Sequence, residues 1–356
     1  MKKKTISHNI LCLYRKVQYR LLGRSVSGVL DQGRRCYVLG QETDNSQGDI
    51  VHPCVRYISQ GFRGHKWWMA YTPYLGANAN IENPRLCWGE ENGEGSPVKW
   101  HIEDIVKNGY IIGYNSDPNL YYENGKLYVY WRENDTDRLL SRGAHRGTFC
   151  KVYSETSVEE YDEPVLSEKM EYEDKETCPT FIKTGEVYSA YAMHLRFKNE
   201  KIIGKPLIQR IIMLTDLLGI YSQQKFKGVA QWTSESPVSP FQYKHSVKFS
   251  NCNKLYRPWH MDLFQYEDAL YAIVQTNQSN GDICLAKSTD GVHFRMYSKP
   301  LITNKSCGGF EIYKPTALVV NGILYVYYTF QLPEREKYNM LHVSSMDFHE
   351  LLCQLV

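Results

Sequence analysis

The chain has 356 residues, 28 of them tyrosine, with aromatic residues at 13% and a formal net charge of +3. That length can bury a substantial core, and the aromatic excess favours strands over a helical bundle. Seven of the 42 basic residues crowd the first 24 positions, which hold no acid, so the remainder is slightly acidic and does not read as a nucleic-acid-binding body.

Residues 1–39 read as a separate basic segment. Its apolar run, Ile10 to Tyr14, is short for a secretory signal and is closed by Arg15-Lys16. No later stretch is apolar for long enough to span a bilayer. Ile10, Leu13, Tyr14, Val17 and Leu21 share one helical face, with Arg15, Lys16, Arg20 and Arg24 mostly elsewhere. The spacing predicts an amphipathic helix, either packed on the main domain or laid on an anionic membrane surface through residues 1–24. The ten cysteines are scattered and none forms a Cys-x-x-Cys pair, so the expectation is reduced thiols in a cytoplasmic protein, with no metal and no cofactor.

From residue 40 onward one pattern repeats. "HPCVRYISQGFRGHKWWMAYT" (52–72) is a strand, a long turn and a strand. "SDPNLYYENGKLYVYWR" (116–132) has the same plan with Asn124-Gly125 at the turn, and "CPTFIKTGEVYSAYA" (178–192) has Gly185 there. "HMDLFQYEDALYAIVQT" (260–276) puts Met261 where the others have proline, and "KPTALVVNGILYVYYTF" (314–330) turns at Asn321-Gly322. Each is an antiparallel hairpin signature. Further strand pairs fall between the copies, at 82–101, 138–153, 210–224 and 282–297. A hairpin plus a strand pair is the size of a propeller blade, so the chain is all-β: a five-bladed β-propeller over 40–356, preceded by a short basic helical segment.

In a propeller the first strand of each blade lines the axis, and its opening residues meet at one mouth. The residues at or just before the proline position are His52, Asp117, the run Glu176-Thr177-Cys178, His260 with Asp262 beside it, and Tyr313-Lys314. Asp117 and Glu176 offer a carboxylate pair for acid–base work on a glycosidic bond. His52 and His260 titrate near neutrality and offer an acid or a base. An aspartate before proline also caps turns, and strand-start histidines also serve as structural donors. Glu82, in Glu82-Asn83-Pro84, opens another strand and is a further candidate, at the mouth or at a blade junction. Sugars stack on aromatic faces, which singles out Trp259 and Tyr313 as mouth residues, with Asp262 and Lys314 as polar neighbours.

Taken together, "HPCVRY", "KWWMAYTPY", "ENPRL", "SDPNLYY", "PWHMDLFQYEDALYAI" and "IYKPTALVVNGILYVYYT" resemble the five-bladed propeller superfamily of family 43 and family 32 glycosidases. More closely they look like a group of bacterial and phage glycosyl-hydrolase-like propellers. The resemblance implies three acids, a base on the first blade, an orienting aspartate on the second and a proton-donating glutamate on the third. Asp117 matches the second position, His52 replaces the first, and Glu176 stands one residue early for the third. The implied function is cleavage or transfer of a glycosidic bond in surface-polysaccharide metabolism, with Glu176 as donor, Asp117 orienting, and His52 or His260 as base or ligand. The alternative is a propeller that binds or assembles glycans without cleaving them.

Overall fold

The structure is a computed structural model describing residues 27–30, 32–39, 49–74, 82–91, 95–107, 114–134, 147–167, 174–197, 224–251, 258–276, 281–304, 306–307, 311–332 and 338–355. The helix expected within residues 1–24 and the strand pair expected over 210–224 lie outside these residues, apart from Gln224.

Among the described residues, five sheets each hold four or five strands. In chain order the first strands are β1 (Arg34–Arg35) and β2 (Tyr37–Leu39). Blade I then uses β3 (Ile50–Phe62), β4 (His65–Pro73), β5 (Arg85–Gly89) and β6 (Lys99–Ile105). Blade II is β7 (Tyr114–Glu123), β8 (Lys126–Asn134), β9 (Gly147–Tyr153) and β10 (Val158–Ser167). Blade III is β11 (Asp174–Thr184), β12 (Val187–Phe197), β13 (Gln224–Ser234) and β14 (Gln242–Ser246). Blade IV is β15 (Lys248–Ser250), β16 (Pro258–Tyr266), β17 (Ala269–Thr276), β18 (Ile283–Ser288) and β19 (His293–Met296). Blade V is β20 (Glu311–Val320), β21 (Ile323–Leu332) and β22 (Tyr338–Asp347), followed by helix α1 (Phe348–Leu355). The five expected hairpins are the two innermost strands of the five blades, and the fold is a five-bladed propeller.

Turn chemistry sets the hairpins. Asn124-Gly125 and Asn321-Gly322 carry positive φ at both central residues (50° and 73°, 51° and 80°), as a two-residue turn matched to strand twist requires. The first copy departs from the long turn expected of it. Its turn is the two residues Arg63-Gly64, and a bulge between Tyr57 and Phe62 absorbs the surplus.

Alternation within each strand builds the interblade cores. In β8, Leu127, Val129 and Trp131 pack toward blade I, while Tyr128 and Tyr130 pack toward blade III. In β21, Leu324, Val326 and Tyr328 face blade IV, and Tyr325 and Tyr327 face blade I. Both faces are apolar because every middle strand is sandwiched between blades, and tyrosine supplies ring area on both sides. Five hydrophobic clusters result, one per blade interface.

The ring closes through residues 34–39. β1 pairs antiparallel with β22 of blade V, and β2 pairs parallel with β6 of blade I, so one short segment ties the last blade to the first. These positions fall inside the span read from sequence as the N-terminal segment; in space they are edge strands of the propeller. α1 was not foreseen. Asp347 Oδ1 accepts the Glu350 amide as an N-cap, and Phe348, Leu351 and Leu355 bury against the blade IV–V core. The eight described cysteines are all free thiols, seven of them buried.

Candidate active site at the axial mouth

Each inner strand is interrupted at its mouth end. Ladder register breaks between Val51 and Cys54, Ser116 and Asn119, Thr177 and Thr180, and Tyr313 and Thr316. The residue before proline in each break adopts left-handed backbone: His52 (φ 53°), Asp117 (53°), Cys178 (53°) and Lys314 (30°). For non-glycine residues this costs on the order of 1–3 kcal/mol each. A bulge turns a side chain that would alternate along the strand toward a new direction, and here four blades repeat the device. Blade IV reaches the same end differently, with a break between Pro258 and His260 that leaves Trp259 as the extra residue.

The re-aimed side chains meet. His52 Nε2 lies 3.2 Å from Asp117 Oδ1 and 3.1 Å from the Tyr313 hydroxyl. The Cys178 thiol donates to Asp117 Oδ1 at 3.1 Å, and Arg132 Nε forms an ion pair with Asp117 Oδ2 at 2.8 Å. The His260 ring stands 4.9 Å from that of Tyr313 and 6.1 Å from that of His52, centroid to centroid. Trp259 meets the His260 ring edge-on at 6.0 Å and is half-buried, as is Tyr313. Glu82 approaches from the connection before β5; its carbonyl accepts the Asn115 amide, and its Oε2 is buried with no hydrogen-bond partner among the described residues.

Burial then separates the titrations. Asp117 is 1% exposed; burial opposes its charge, but Arg132, with Lys314 further off, outweighs that and holds it well below the usual carboxylate range. Burial, reinforced by the Asp117 charge, pushes Glu82 up to about 8. Burial drives His52 down to about 3, with Lys314 and Arg132 acting in the same sense and Asp117 opposing. His260 is driven well down by burial and then by Lys314. Near neutrality the described residues of the mouth therefore include one ionised carboxylate, Asp117, one protonated carboxyl, Glu82, and two neutral imidazoles, His52 and His260. A carboxylate only accepts, so the neutral His52 ring places its proton on Nε2, toward Asp117.

Of the residues singled out from sequence, His52, Asp117, His260, Tyr313, Lys314, Trp259 and Glu82 come together here. Glu176 lies in β11 opposite His194, and its side chain is outside the described set. Asp262, expected beside the substrate, is one turn of the alternation deeper. Arg56 grips both its oxygens at 2.8 and 2.9 Å, and the Thr180 and Thr316 hydroxyls donate to them as well. These residues belong to blades I, III, IV and V, so Asp262 acts as an axial tie. Sequence reasoning missed Arg132 and did not single out Cys178 from its run. The available signal was positional: Arg132 directly follows the apolar run Leu127–Trp131 of β8, opposite Ser116, where a charge is out of place in a core.

His52 Nε2, Asp117 Oδ1 and Cys178 Sγ lie within 4.8 Å of one another, a donor set that could hold a divalent metal. The Arg132 and Lys314 charges acting on the same groups oppose a dication there.

No protein-family model matches the sequence, and no curated protein matches it either. Solved structures do. An N-acetylgalactosamine deacetylase from F. plautii, in complex with blood group B trisaccharide, aligns over 93% of this chain and 97% of its own, with TM-score 0.66 and 15% identity. A family 117 glycoside hydrolase from the marine bacterium Zobellia galactanivorans aligns over 90% and 92%, with TM-score 0.54 and 14% identity. A thermostable family-43 glycoside hydrolase aligns over 83% and 89%, with TM-score 0.52 and 12% identity. The structural neighbours thus include five-bladed glycoside hydrolase propellers, and at these identities the likeness is one of fold.

Proposed function

We propose that the axial mouth binds a carbohydrate and cleaves or transfers its glycosidic bond, with Glu82 as proton donor and Asp117 as the permanently ionised partner. The observation that carries this reading is two buried carboxyls at one mouth, Asp117 ion-paired to Arg132 and Glu82 with Oε2 free of hydrogen-bond partners among the described residues, an arrangement that displaces their titrations in opposite senses. A carboxyl kept protonated near neutrality can protonate a leaving oxygen, and a neighbouring carboxylate stabilises the positive charge that develops on the sugar; water, or an acceptor hydroxyl in transfer, then bonds to the anomeric carbon and gives its proton back to the Glu82 carboxylate. Arg132, the Cys178 thiol and His52 keep Asp117 charged and oriented. Trp259 and Tyr313 supply ring faces for the sugar. Glu82 takes the donor role that sequence analysis expected of Glu176. The glycosidase-type neighbours support the substrate class, as does the trisaccharide bound by the deacetylase.

The test is a screen of glycans and nucleotide sugars with the native chain, Glu82→Gln and Asp117→Asn. Turnover by the native chain that both variants abolish supports the assignment; turnover that survives Glu82→Gln at an unchanged rate overturns it. A second reading is glycan binding without cleavage, favoured by the full engagement of both Asp117 oxygens. Saturable binding with no turnover by the native chain decides for it.

The setting we propose is surface-polysaccharide metabolism in the cytoplasm, with residues 1–24 held against an anionic membrane surface. Among the described residues no helix is long and apolar enough to cross a membrane. Cosedimentation with anionic but not neutral vesicles, lost on deleting 1–24, tests the membrane contact.

A further inference from the structure

Among the described residues the charges of the mouth do not balance. Arg132 is matched by Asp117 in an ion pair. Lys314 is not matched. It is 3% exposed, and among the described residues its Nζ has neither a hydrogen-bond acceptor nor an ion-pair partner. An uncompensated ammonium in such a place costs several kcal/mol. Its position is imposed by the fold: the left-handed bulge before Pro315 sets the backbone, and the Lys314 amide donates to Gln275 Oε1 at 2.7 Å. The fold thus holds an unneutralised cation beside His260, whose ring is 2% exposed and has neither nitrogen hydrogen-bonded among the described residues. Asp117 cannot serve both cations closely, because Arg132, His52 and Cys178 already surround it. Glu82, the other carboxyl among the described residues of the mouth, is kept protonated by burial and by Asp117.

The geometry points to a carboxylate-bearing sugar as the ligand of this mouth, its carboxylate seated on Lys314 Nζ with a His260 ring nitrogen as second donor. One uncompensated positive charge matches a carboxylate. A dianionic phosphate would bring a second negative charge beside Asp117. The half-buried rings of Trp259 and Tyr313 border His260 and would flank the pyranose. This assignment rests on the mouth being a glycan site and does not require catalysis.

The experiment is calorimetric titration of the full chain with the methyl glycosides of glucuronic, galacturonic and N-acetylneuraminic acid. The neutral methyl glucoside and galactoside, and inorganic phosphate, are run beside them. At least one acid is expected to bind, and the uronides are distinguished from the nonulosonate by which one does. The acid should be preferred over a neutral glycoside by on the order of 30-fold, the effect of losing one partner of a buried charge pair. Lys314→Met should abolish the preference and Lys314→Arg should keep most of it; circular dichroism checks that both variants fold. Equal affinity for acid and neutral glycosides, no binding of any acid, or tighter binding of phosphate overturns the assignment, and each is read on the native chain alone. Binding is measured without turnover, so the two proposals fail separately. An acidic sugar bound while no glycan is cleaved supports the carboxylate site against the enzyme. A neutral glycan cleaved with no acid preference does the reverse.

Discussion

Replacing Glu82 by glutamine should flatten the alkaline side of the stability profile. Glu82 is 6% exposed, and its carboxyl rises from 4.5 to about 8, through burial first and the Asp117 charge second. Between those two pH values the folded chain keeps a proton that the unfolded chain has released. The native state then binds more protons, so stability falls as pH rises through this window and the full cost is reached above about 8. At about 1.4 kcal/mol per decade the ceiling is roughly 5 kcal/mol, and relaxation around a buried charge reduces it to a few kcal/mol. His52, His260 and Asp117 are all shifted downward, so their contributions are lost on the acid side, as pH falls, and largely cancel in a comparison of the two proteins. Urea unfolding from pH 5 to 9 measures the difference. Native stability should drop by a few kcal/mol more than that of Glu82→Gln across the range. Parallel profiles would refute the raised carboxyl and, with it, the proton-donor assignment.

Three other perturbations separate the mouth from the frame. Asp117→Asn leaves the Arg132 guanidinium buried without its counter-charge and should cost roughly 3–5 kcal/mol in urea unfolding. It should also lower the Glu82 titration below 8, seen in urea unfolding as an alkaline loss of stability smaller than that of the native chain; an unchanged alkaline loss would show that Asp117 does not act on Glu82. Asp262→Asn strips Arg56 of its partner and should destabilise by roughly 3–5 kcal/mol while leaving glycan affinity within a few-fold of native; a selective loss of affinity would put Asp262 back at the mouth. Gly33→Ala tests ring closure. A Cβ there would meet the Val343 carbonyl at 2.0 Å, so β1 must shift off β22 at a cost of about 1–3 kcal/mol, and an unchanged melting temperature would mean that closure contributes little.

What was legible in the sequence was what short-range chemistry dictates. Asn-Gly at 124–125 and 321–322 forces two-residue turns, period-two alternation in "LYVYW" assigns Leu127 and Tyr128 to opposite faces, and five repeats of that unit leave a propeller as the arrangement that buries both faces. The strand starts were legible for the same reason, since a proline in an inner strand marks a break. The contents of the mouth were only partly so. His52 and Tyr313 are 261 positions apart and touch because β1 and β2 close the ring, a contact no local pattern announces. Asp117 and Asp262 look alike as acids at strand starts. Tertiary structure alone makes one the centre of the mouth and the other an axial tie, because the pre-proline bulge re-aims Asp117 while regular alternation sends Asp262 to Arg56. Glu82 and Lys314 acquire their character the same way. Whether a carboxyl stays protonated or an ammonium stays unmatched depends on burial and on neighbours from other blades, which exist only once the ring has closed.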